Sequence, residues 1–350
     1  MEIGVLLSGG VDSSVALRLL LEEGHRLRAF YLKVWLEEEL AFLGDCPWEE
    51  DLRYARAVCD QAGVPLEIVP LQAEYLEKVV EHALAELRAG RTPSPDIHCN
   101  QRIKFGAFLE KMGAGFAKVA SGHYAQVEQR GQEFRLLCAA DPVKDQTYFL
   151  SHLDQGQLGR VLFPLGQLTK SEVRRLASRY ALPTVDRKDS QGICFLGKID
   201  YRQFVRARLG ERPGEIIDRE TGKKLGEHRG LWFHTIGQRH GLGLGGGPWF
   251  AVGKDLETNV LWVAHQAQEP ARLRGEFEVG PPHWICGPPA GESLQVKLRH
   301  GPQSTPCRLR PLQGGRVAVV LESPDPGIAP GQHAVFYEGQ VCLGGGVIEV

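Results

Sequence analysis

The sequence predicts an α/β protein with an N-terminal parallel-sheet domain, a small central domain and a C-terminal domain that resembles a β-barrel. Up to Met112, buried strand-like runs alternate with amphipathic helical runs, which favours parallel strands joined by helices. Beyond Gly210, Gly and Pro recur at short intervals and helical periods vanish, as is typical of short β-strands. We expect domains at residues 1–203, 204–270 and 271–350.

Periodicity predicts the individual elements. The run EIGVLLS has the character of a buried strand, and after Gly9-Gly10 apolar residues recur at helical spacing. The same reasoning predicts further strands at Leu27–Lys33 and Leu66–Val69, and helices at Val11–Leu21, Leu52–Ala62, Glu74–Arg88 and Cys99–Met112. In the C-terminal half it predicts strands at Leu261–Ala264, Ser293–Leu298, Arg316–Leu321 and Ala334–Tyr337.

Composition is that of a folded, water-soluble protein. Hydrophobic residues make up 43% and charged residues 24% of 350 residues, which excludes long disorder. No apolar run or secretory signal suggests a membrane, so we expect a cytoplasmic location. The net charge of −2 conceals a basic stretch, Lys170–Arg212, with eleven basic and five acidic residues. Either this stretch is a solvated helical face or it borders an active site.

The segment Ser8-Gly9-Gly10-Val11-Asp12-Ser13-Ser14 lies between the first strand and the first helix. Free N–H groups and the helix dipole make such a position a good anion site, and the glycines admit a phosphate closely. The alternative is a tight turn capped by Asp12 and Ser13. The lysine of a G-x-x-x-x-G-K-[ST] loop is missing, so the cleavage of ATP is expected to differ from that of kinase-like enzymes. The letters G-x-G-x-x-G at Gly241–Gly246 lack the strand and helix that dinucleotide binding requires.

Two of the eight cysteines stand out from the rest. Cys99 follows a proline-stiffened loop and is expected in the first turn of a helix, where the dipole favours the thiolate. Cys194 lies beside a flexible glycine within the basic stretch, and nearby cations again favour the thiolate. Asp96 is either the cap of the helix or a general acid/base. The other six have the character of small buried hydrophobic residues: Cys46, Cys59, Cys138, Cys286, Cys307 and Cys342.

Several separated motifs occur in one order along the chain. They are the glycine-rich loop, KVW at 33–35, RTPSPDIHCN at 91–100, SGHY at 121–124, KDQTYFL at 144–150, DSQGICF at 189–195, GQRHGLG at 237–243 and PGQHAVFYEGQVCLGGGVIE at 330–349. This set resembles the tRNA-specific 2-thiouridylases of the MnmA/TrmU family. The first motif is similar to the PP-loop of N-type ATP pyrophosphatases, so the resemblance implies an adenine nucleotide α-hydrolase-like N-terminal domain.

The resemblance implies an enzyme that uses ATP and Mg²⁺ to thiolate C2 of the wobble uridine in the tRNAs for Lys, Glu and Gln. Adenylation of the uracil oxygen would release pyrophosphate, and sulfur transfer would release AMP. Cys194 would carry a persulfide, Asp96 would act as acid/base, and Cys99 would then form a disulfide with Cys194. ATP would contact Leu6, Leu7, Ser8, Gly9, Gly10, Val11, Asp12, Ser13, Leu32 and Gly122.

The resemblance also implies partners. The tRNA would contact Ser94, Pro95, Asp96, His123, Lys144, Asp145, Gln146, Arg299, His300 and Gln332. A cysteine desulfurase or a sulfur-relay carrier would donate the sulfur, and no resident protein-bound metal is expected. Two other functions stay open: a PP-loop ligase acting on a small molecule, and a non-catalytic tRNA-binding protein that retains the loop.

Overall fold

The computed structural model describes residues 1–35, 48–188, 201–268, 273–291 and 293–349. It confirms the predicted fold class, with a parallel sheet first, a small mixed sheet next and a barrel-like antiparallel sheet last. None of the helices in these ranges has the length and apolar character that crossing a membrane requires.

The first sheet has five parallel strands in the order β3-β2-β1-β4-β7. The strand order reverses between β1 and β4, and open sheets of this kind bind ligands in the crevice at that reversal. The carboxyl ends of β1 and β4 therefore mark the expected site. The strands are β1 (Glu2–Leu6), β2 (Arg26–Lys33), β3 (Leu66–Pro70), β4 (Lys118–Ser121) and β7 (Val161–Leu162).

The helices lie close to where periodicity predicts them, but two of them start four residues early. The helix expected from Leu52 begins at Trp48. The helix expected from Cys99 begins four residues earlier, at Pro95, and Cys99–Ala107 is π-helical. The helices are α1 (Val11–Glu22), α2 (Trp48–Ala62), α3 (residues 72–88, with a π-helical part Leu76–Val80), α4 (residues 95–112), α5 (Thr147–Leu150), α6 (Gln155–Leu158), α7 (Lys170–Arg179) and α8 (Tyr201–Leu209).

A four-stranded sheet forms the centre of the chain, in the order β10-β11-β8-β9. Its strands are β8 (Gly214–Asp218), β9 (Lys224–His228), β10 (Trp249–Asp255) and β11 (Val260–His265). The G-x-G-x-x-G letters lie in the loop before β10, with no strand leading into them and no helix after them. This placement agrees with the argument against a dinucleotide fingerprint.

The third sheet joins the C-terminal strands to a hairpin from the N-terminal half. Strand β6 pairs with β18, although both hairpin strands lie within the expected domain 1–203. A bridge between Val279 and Ile348 connects the far side of the sheet back to its C-terminal end. The boundaries at 203 and 270 stay predictions. The strands are β5 (Gln126–Arg130), β6 (Glu133–Leu137), β12 (Arg274–Val279), β13 (His283–Trp284), β14 (Leu294–Lys297), β15 (Thr305–Pro311), β16 (Val317–Asp325), β17 (His333–Glu338) and β18 (Val341–Val347).

A buried ion pair joins the segment before α5 to strand β14. Lys297 donates to the carboxylate of Asp145 at 2.9 Å, and their side chains are 9% and 2% exposed. The same carboxylate accepts hydrogen bonds from the Thr147 hydroxyl and the Ala139 amide. Together with a hydrophobic core that includes Tyr148 and Val335, this pair fixes the barrel to the N-terminal region.

Five of the cysteines that were expected to be structural lie within the described ranges, and all five are free thiols. Cys59, Cys307 and Cys342 are buried and Cys138 is half-buried, which fits the structural role expected of them. Cys286 is exposed, contrary to that expectation: it lies two residues beyond the end of β13, and its thiol donates to the Phe134 carbonyl at 3.4 Å. Cys46 lies outside the described residues.

We predict that Lys297→Met destabilises the protein by about 3 kcal/mol or more, because it leaves the Asp145 carboxylate buried without a counter-ion. Urea denaturation measures the loss. Arg310→Met is the matched control, since its pair with Glu276 is 64% and 53% exposed and should contribute less than about 1 kcal/mol. Equal losses for the two variants would contradict the prediction.

Candidate active site

The glycine-rich loop lies between the end of β1 and the start of α1, the position that the sequence predicts for an anion site. Gly10 is the N-cap of α1 and, as a glycine, has no side chain to cap the helix. N–H groups at the start of a helix suit an anion. Ser8 and Ser13 fix the loop from within, since the Ser8 amide donates to the Ser13 hydroxyl at 3.2 Å. The Ser14 hydroxyl donates to the Gly10 carbonyl at 2.8 Å. These bonds hold the loop in shape without filling the site.

Close backbone contacts leave no room for a side chain at two glycines of the candidate site. Gly9 has a φ of 76°, and a side chain there would also overlap the carbonyl of Asp51 in α2. Gly122 follows β4, and a Cβ atom there would lie 2.6 Å from the backbone nitrogen of Ser13. Gly122 is therefore beside the first turn of α1. Leu32 lies near the carboxyl end of β2, the strand next to β1.

Asp12 connects this loop to two distant parts of the chain. Its carboxylate accepts a hydrogen bond from the Tyr124 hydroxyl at 2.8 Å and two from the Lys170 ammonium at 2.7 and 2.9 Å. Lys170 is the first residue of α7, and Thr169 and Glu172 cap that helix reciprocally. Sequence reasoning did not single out Lys170, although the basic stretch begins there.

A second cation holds the other side of the loop. Arg187 donates to the Gly9 carbonyl at 2.7 Å and to the Asp51 carboxylate at 2.6 Å. Its guanidinium also lies over the ring of Tyr54, 4.5 Å from the centroid. The basic stretch therefore does border the loop, through Lys170 and Arg187. Its residues Arg175 and Arg206 instead form exposed pairs with Glu172 and Glu211.

Tyr124 also leads from the loop toward the helix that carries Asp96 and Cys99. Its amide donates to the side-chain oxygen of Gln146 at 3.0 Å, and Gln146 is the N-cap of α5. From α5, the Phe149 carbonyl accepts a hydrogen bond from the Asn100 side chain at 3.1 Å. Short hydrogen bonds thus join the anion site to α4.

Asp96 and Cys99 lie three residues apart on α4, which places them on one side of the helix. Asp96 is half-buried, and Cys99 is 2% exposed. Because α4 begins at Pro95, Cys99 is in the second turn rather than the first, and Ser94 rather than Asp96 is the N-cap. Dipole stabilisation of a Cys99 thiolate is correspondingly weaker than the sequence suggested. Cys194 lies outside the described residues.

The barrel borders the start of α4. The Thr92 amide donates to the Pro330 carbonyl at 2.7 Å, and the Tyr148 hydroxyl donates to the His333 carbonyl at 3.1 Å. Gln332, half-buried between these contacts, is therefore brought close to the RTPSPD segment. His300 packs against Phe149 of α5, with ring centroids 4.6 Å apart.

Other residues expected to contact RNA have partners within the protein. Arg299 donates to both carboxylate oxygens of Asp325, at 3.0 and 2.7 Å. His123 contacts the Ser121 hydroxyl through Nδ1 at 2.8 Å, and burial lowers the pKa of its imidazole well below the usual range. Asp145 is 3% exposed and paired with Lys297, so we infer that it positions its neighbours Lys144 and Gln146.

Five histidines form a chain of ring contacts between α3, α4 and the barrel. His98 lies 4.5 Å from His82 and 5.6 Å from His333, and His152 lies 4.7 Å from His333 and 5.5 Å from His283, measured between ring centroids. Burial, and next to it the neighbouring cations, lower the pKa values of His98 and His152 to about 3. His98 and His152 are therefore neutral at pH 7 where the barrel meets α4.

The chain matches three family models in succession. They are described as a tRNA methyl transferase HUP domain at residues 1–198, a tRNA methyl transferase PRC-barrel domain at 202–265 and an aminomethyltransferase beta-barrel domain at 274–348. Together they span almost the whole chain.

Curated relatives are similar over their full length. The tRNA-specific 2-thiouridylase MnmA 1 of Bacteroides thetaiotaomicron is 46% identical over 355 residues, which covers 99% of each chain. The tRNA-specific 2-thiouridylase MnmA of Parabacteroides distasonis is 43% identical over 355 residues, again with 99% of each chain covered. Among solved structures, the NMN synthetase of Francisella tularensis is 17% identical, covers 58% of this chain and 70% of its own, and has a TM-score of only 0.35.

We predict that Gly122→Ala weakens ATP binding by about tenfold or more, because the new methyl group displaces the first turn of α1 from its place beside β4. Isothermal titration calorimetry measures the change. Gly115→Ala is the matched control, since a Cβ atom there meets no other atom within 4 Å. Equal affinities in the two variants would show that the contact is unimportant.

We also predict that stability decreases as the pH falls from 6.5, the ordinary histidine pKa, toward 5. In this pH range the histidines of the unfolded chain bind protons, whereas the buried imidazole rings of the folded protein stay neutral. Protonation therefore favours the unfolded state. Urea denaturation at successive pH values measures the slope. His98→Asn should reduce the slope, whereas His240→Asn, at an exposed position, should not. A stability that does not change over this range would contradict the prediction.

Proposed function

The chain belongs to the tRNA-specific 2-thiouridylase family, MnmA/TrmU, and we propose that it thiolates C2 of the wobble uridine of tRNA at the expense of ATP. The proposed substrates are the tRNAs for Lys, Glu and Gln. The observation that carries the proposal is the short hydrogen-bonded link, through Tyr124 and Gln146, between the anion site and the helix that bears Asp96 and Cys99. The proposed phosphate chemistry and the proposed thiol chemistry would then take place at neighbouring sites.

The first chemical step would be adenylation. The uracil oxygen at C2 forms a bond to the α-phosphorus of ATP, and pyrophosphate leaves with the electron pair of the broken bond. The loop from Leu6 to Ser13, with Leu32 and Gly122, would hold the nucleotide for this in-line displacement. The oxygen at C2 is a poor leaving group by itself. Once it is bonded to the phosphorus of AMP, it can leave as part of AMP when sulfur attacks C2.

The second step would transfer sulfur. A persulfide on Cys194 attacks C2, and AMP leaves with the former uracil oxygen. The Cys99 thiol then attacks the Cys194 sulfur, which leaves the outer sulfur on the base and forms a Cys99–Cys194 disulfide. Asp96 would move the proton, and an external thiol would reduce the disulfide. The position of Cys99, three residues from Asp96 on α4, supports these roles.

Magnesium would enter with the nucleotide. Among the residues that the structure describes, no cluster of three or more His, Cys, Asp or Glu side chains is arranged to hold a metal ion. Mg²⁺ commonly binds through substrate phosphates with few protein ligands, so we propose that the nucleotide carries the ion. Its chemical contribution would be to neutralise the leaving pyrophosphate.

The RNA would approach between α4 and the barrel. The wobble base must leave its stack to reach an enzyme site, because C2 is inaccessible in a stacked anticodon loop. Ser94, Pro95 and Gln332 lie where the RTPSPD segment meets the barrel, and we propose that they contact the extruded nucleotide. The other proposed contacts are Asp96, His123, Lys144, Gln146, Arg299 and His300.

A desulfurase or sulfur-relay protein of the cytoplasm would load Cys194 with sulfur.

The decisive test is the nucleoside that the protein makes. Unmodified tRNA for Lys, ATP, Mg²⁺ and sulfide are incubated with the protein, and the wobble nucleoside is identified by mass spectrometry. We expect exchange of one oxygen for sulfur, with AMP and pyrophosphate as co-products. Addition of a methyl group, as the family-model descriptions would suggest, or ATP turnover without any change in the RNA would overturn the proposal.

We predict that Cys194→Ser abolishes thiolation when the sulfur comes from a persulfide donor, and that Cys99→Ser lowers it at least about a hundredfold, since each replacement removes a required nucleophile. Liquid chromatography of the digested tRNA measures the product. Cys286→Ser is the control, because that exposed thiol lies outside the site. Full activity of Cys194→Ser with the same donor would refute the persulfide role.

A further inference from the structure

The central sheet contacts the segment that leads into the helix of Asp96 and Cys99. None of the residues proposed to contact ATP, sulfur or RNA belongs to strands β8–β11. Yet Lys254, near the end of β10, donates through its ammonium to the Gly90 carbonyl at 2.9 Å. Gly90 follows α3 and immediately precedes the RTPSPD segment at 91–96. The central sheet therefore reaches the chain just ahead of two residues with proposed chemical roles.

The end of α3 has a defined turn geometry. Gly90 has a φ of 74°, its amide donates to the Leu87 carbonyl at 3.0 Å, and the Arg91 amide donates to the Glu86 carbonyl at 2.9 Å. Together these bonds form a Schellman turn, which satisfies carbonyl groups of the last helical turn from within the chain. The Gly90 carbonyl lies beyond these bonds, and Lys254 supplies a donor for it. The negative end of the helix dipole also favours a cation there.

The contact of Lys254 lies within a packed region. Burial lowers the pKa of its ammonium to about 8, so the group still carries its charge at pH 7. Leu256 packs on the same turn, since a Cβ atom at Gly90 would lie 3.0 Å from its side chain. Removing an ammonium from water is unfavourable unless a strong hydrogen bond offsets the loss. The bond to Gly90 is therefore a fixed point of the packing rather than a loose surface contact.

Thr92 is held from two sides. Its hydroxyl contacts the hydroxyl of Thr235, in the loop before β10, at 3.3 Å, and its amide donates to the Pro330 carbonyl, before β17, at 2.7 Å. Gly331 permits the close approach of the barrel, because a Cβ atom there would lie 2.9 Å from the Thr92 nitrogen. The segment that leads into α4 thus lies between the central sheet and the barrel, and both contribute to its position.

We propose that Lys254 is a positioning residue: by fixing the Gly90 carbonyl, it sets where α4 places its carboxylate and its thiol against the base. These groups belong to Asp96 and Cys99. Helix α4 begins at Pro95, only five positions after Gly90, and two prolines stiffen the connection. A displacement at Gly90 is therefore passed on to α4. This role rests on the proposed function, but the position of the segment can be measured without any RNA.

The first test measures the segment itself. In Lys254→Met, hydrogen exchange of residues 89–98 should become at least about tenfold faster, because the segment loses a charged hydrogen bond and opens locally. Exchange in β1 and α1 should stay the same, and ATP affinity should stay within about twofold. Mass spectrometry of peptic peptides from the full chain measures exchange, and isothermal titration calorimetry measures affinity.

Lys224→Met is the matched control for hydrogen exchange. This lysine also belongs to the central sheet, but its pairs with Glu215 and Glu227 are exposed, so its loss should leave residues 89–98 unchanged. Exchange at 89–98 that is the same in Lys254→Met as in the unaltered protein would overturn the proposal.

The second test separates positioning from stability. Lys254→Met should lower kcat for thiolation at least about tenfold and leave KM for ATP within about twofold, because a misplaced α4 slows the sulfur step. Lys254→Arg keeps a charged donor and should recover part of kcat. Unaltered kcat in Lys254→Met, together with a lower free energy of unfolding, would show a purely structural role and refute the proposal. Thr235→Val, which should also lower kcat by a smaller factor, replaces Lys254→Met should the latter fail to fold.

The two proposals fail in different ways. Unaltered kcat in Lys254→Met, in a protein that thiolates tRNA, refutes only the role of Lys254. Faster exchange confined to residues 89–98 in Lys254→Met, in a protein that never thiolates tRNA, supports the positioning of α4 by Lys254 and refutes the thiouridylase function.

Discussion

The carboxylate of Asp12 is the contact on which the organisation of the site depends. It receives the Tyr124 hydroxyl from the segment after β4 and the Lys170 ammonium from α7, so one side chain joins three parts of the fold. Both donors meet at the reversal of strand order between β1 and β4, where open α/β sheets bind ligands. The glycine-rich loop is therefore held by contacts from distant parts of the sequence as well as by hydrogen bonds among its own serines.

The barrel is joined directly to the segments that border the candidate active site. Hairpin β5–β6 is continuous with the C-terminal sheet, and the buried pair of Asp145 with Lys297 fixes the segment before α5 to β14. The same segment supplies Gln146, which links the phosphate loop to α4. A substitution that alters the packing of the barrel would therefore shift the positions of Asp96 and Cys99, although neither residue itself is changed.

Local signals were sufficient for much of this structure. Alternating periodicity located the parallel sheet and its helices, and the glycine pattern located the loop between β1 and α1, because both depend on neighbouring residues. Lys170 and Arg187 were not predicted individually, since their roles arise only when α7 packs on α1. The start of α4 was misplaced by four residues because Pro95 suits the first helical turn as well as a loop. The pairing of β6 with β18 has no local signature.

The central claim is that this loop turns the uracil oxygen into a leaving group. It is tested most directly with tRNA that carries a heavy oxygen isotope at C2 of the wobble uridine. Adenylation predicts that the isotope appears in AMP in proportion to the 2-thiouridine formed. Recovery of the isotope in water or pyrophosphate, or thiolation with unlabelled AMP, would contradict the account.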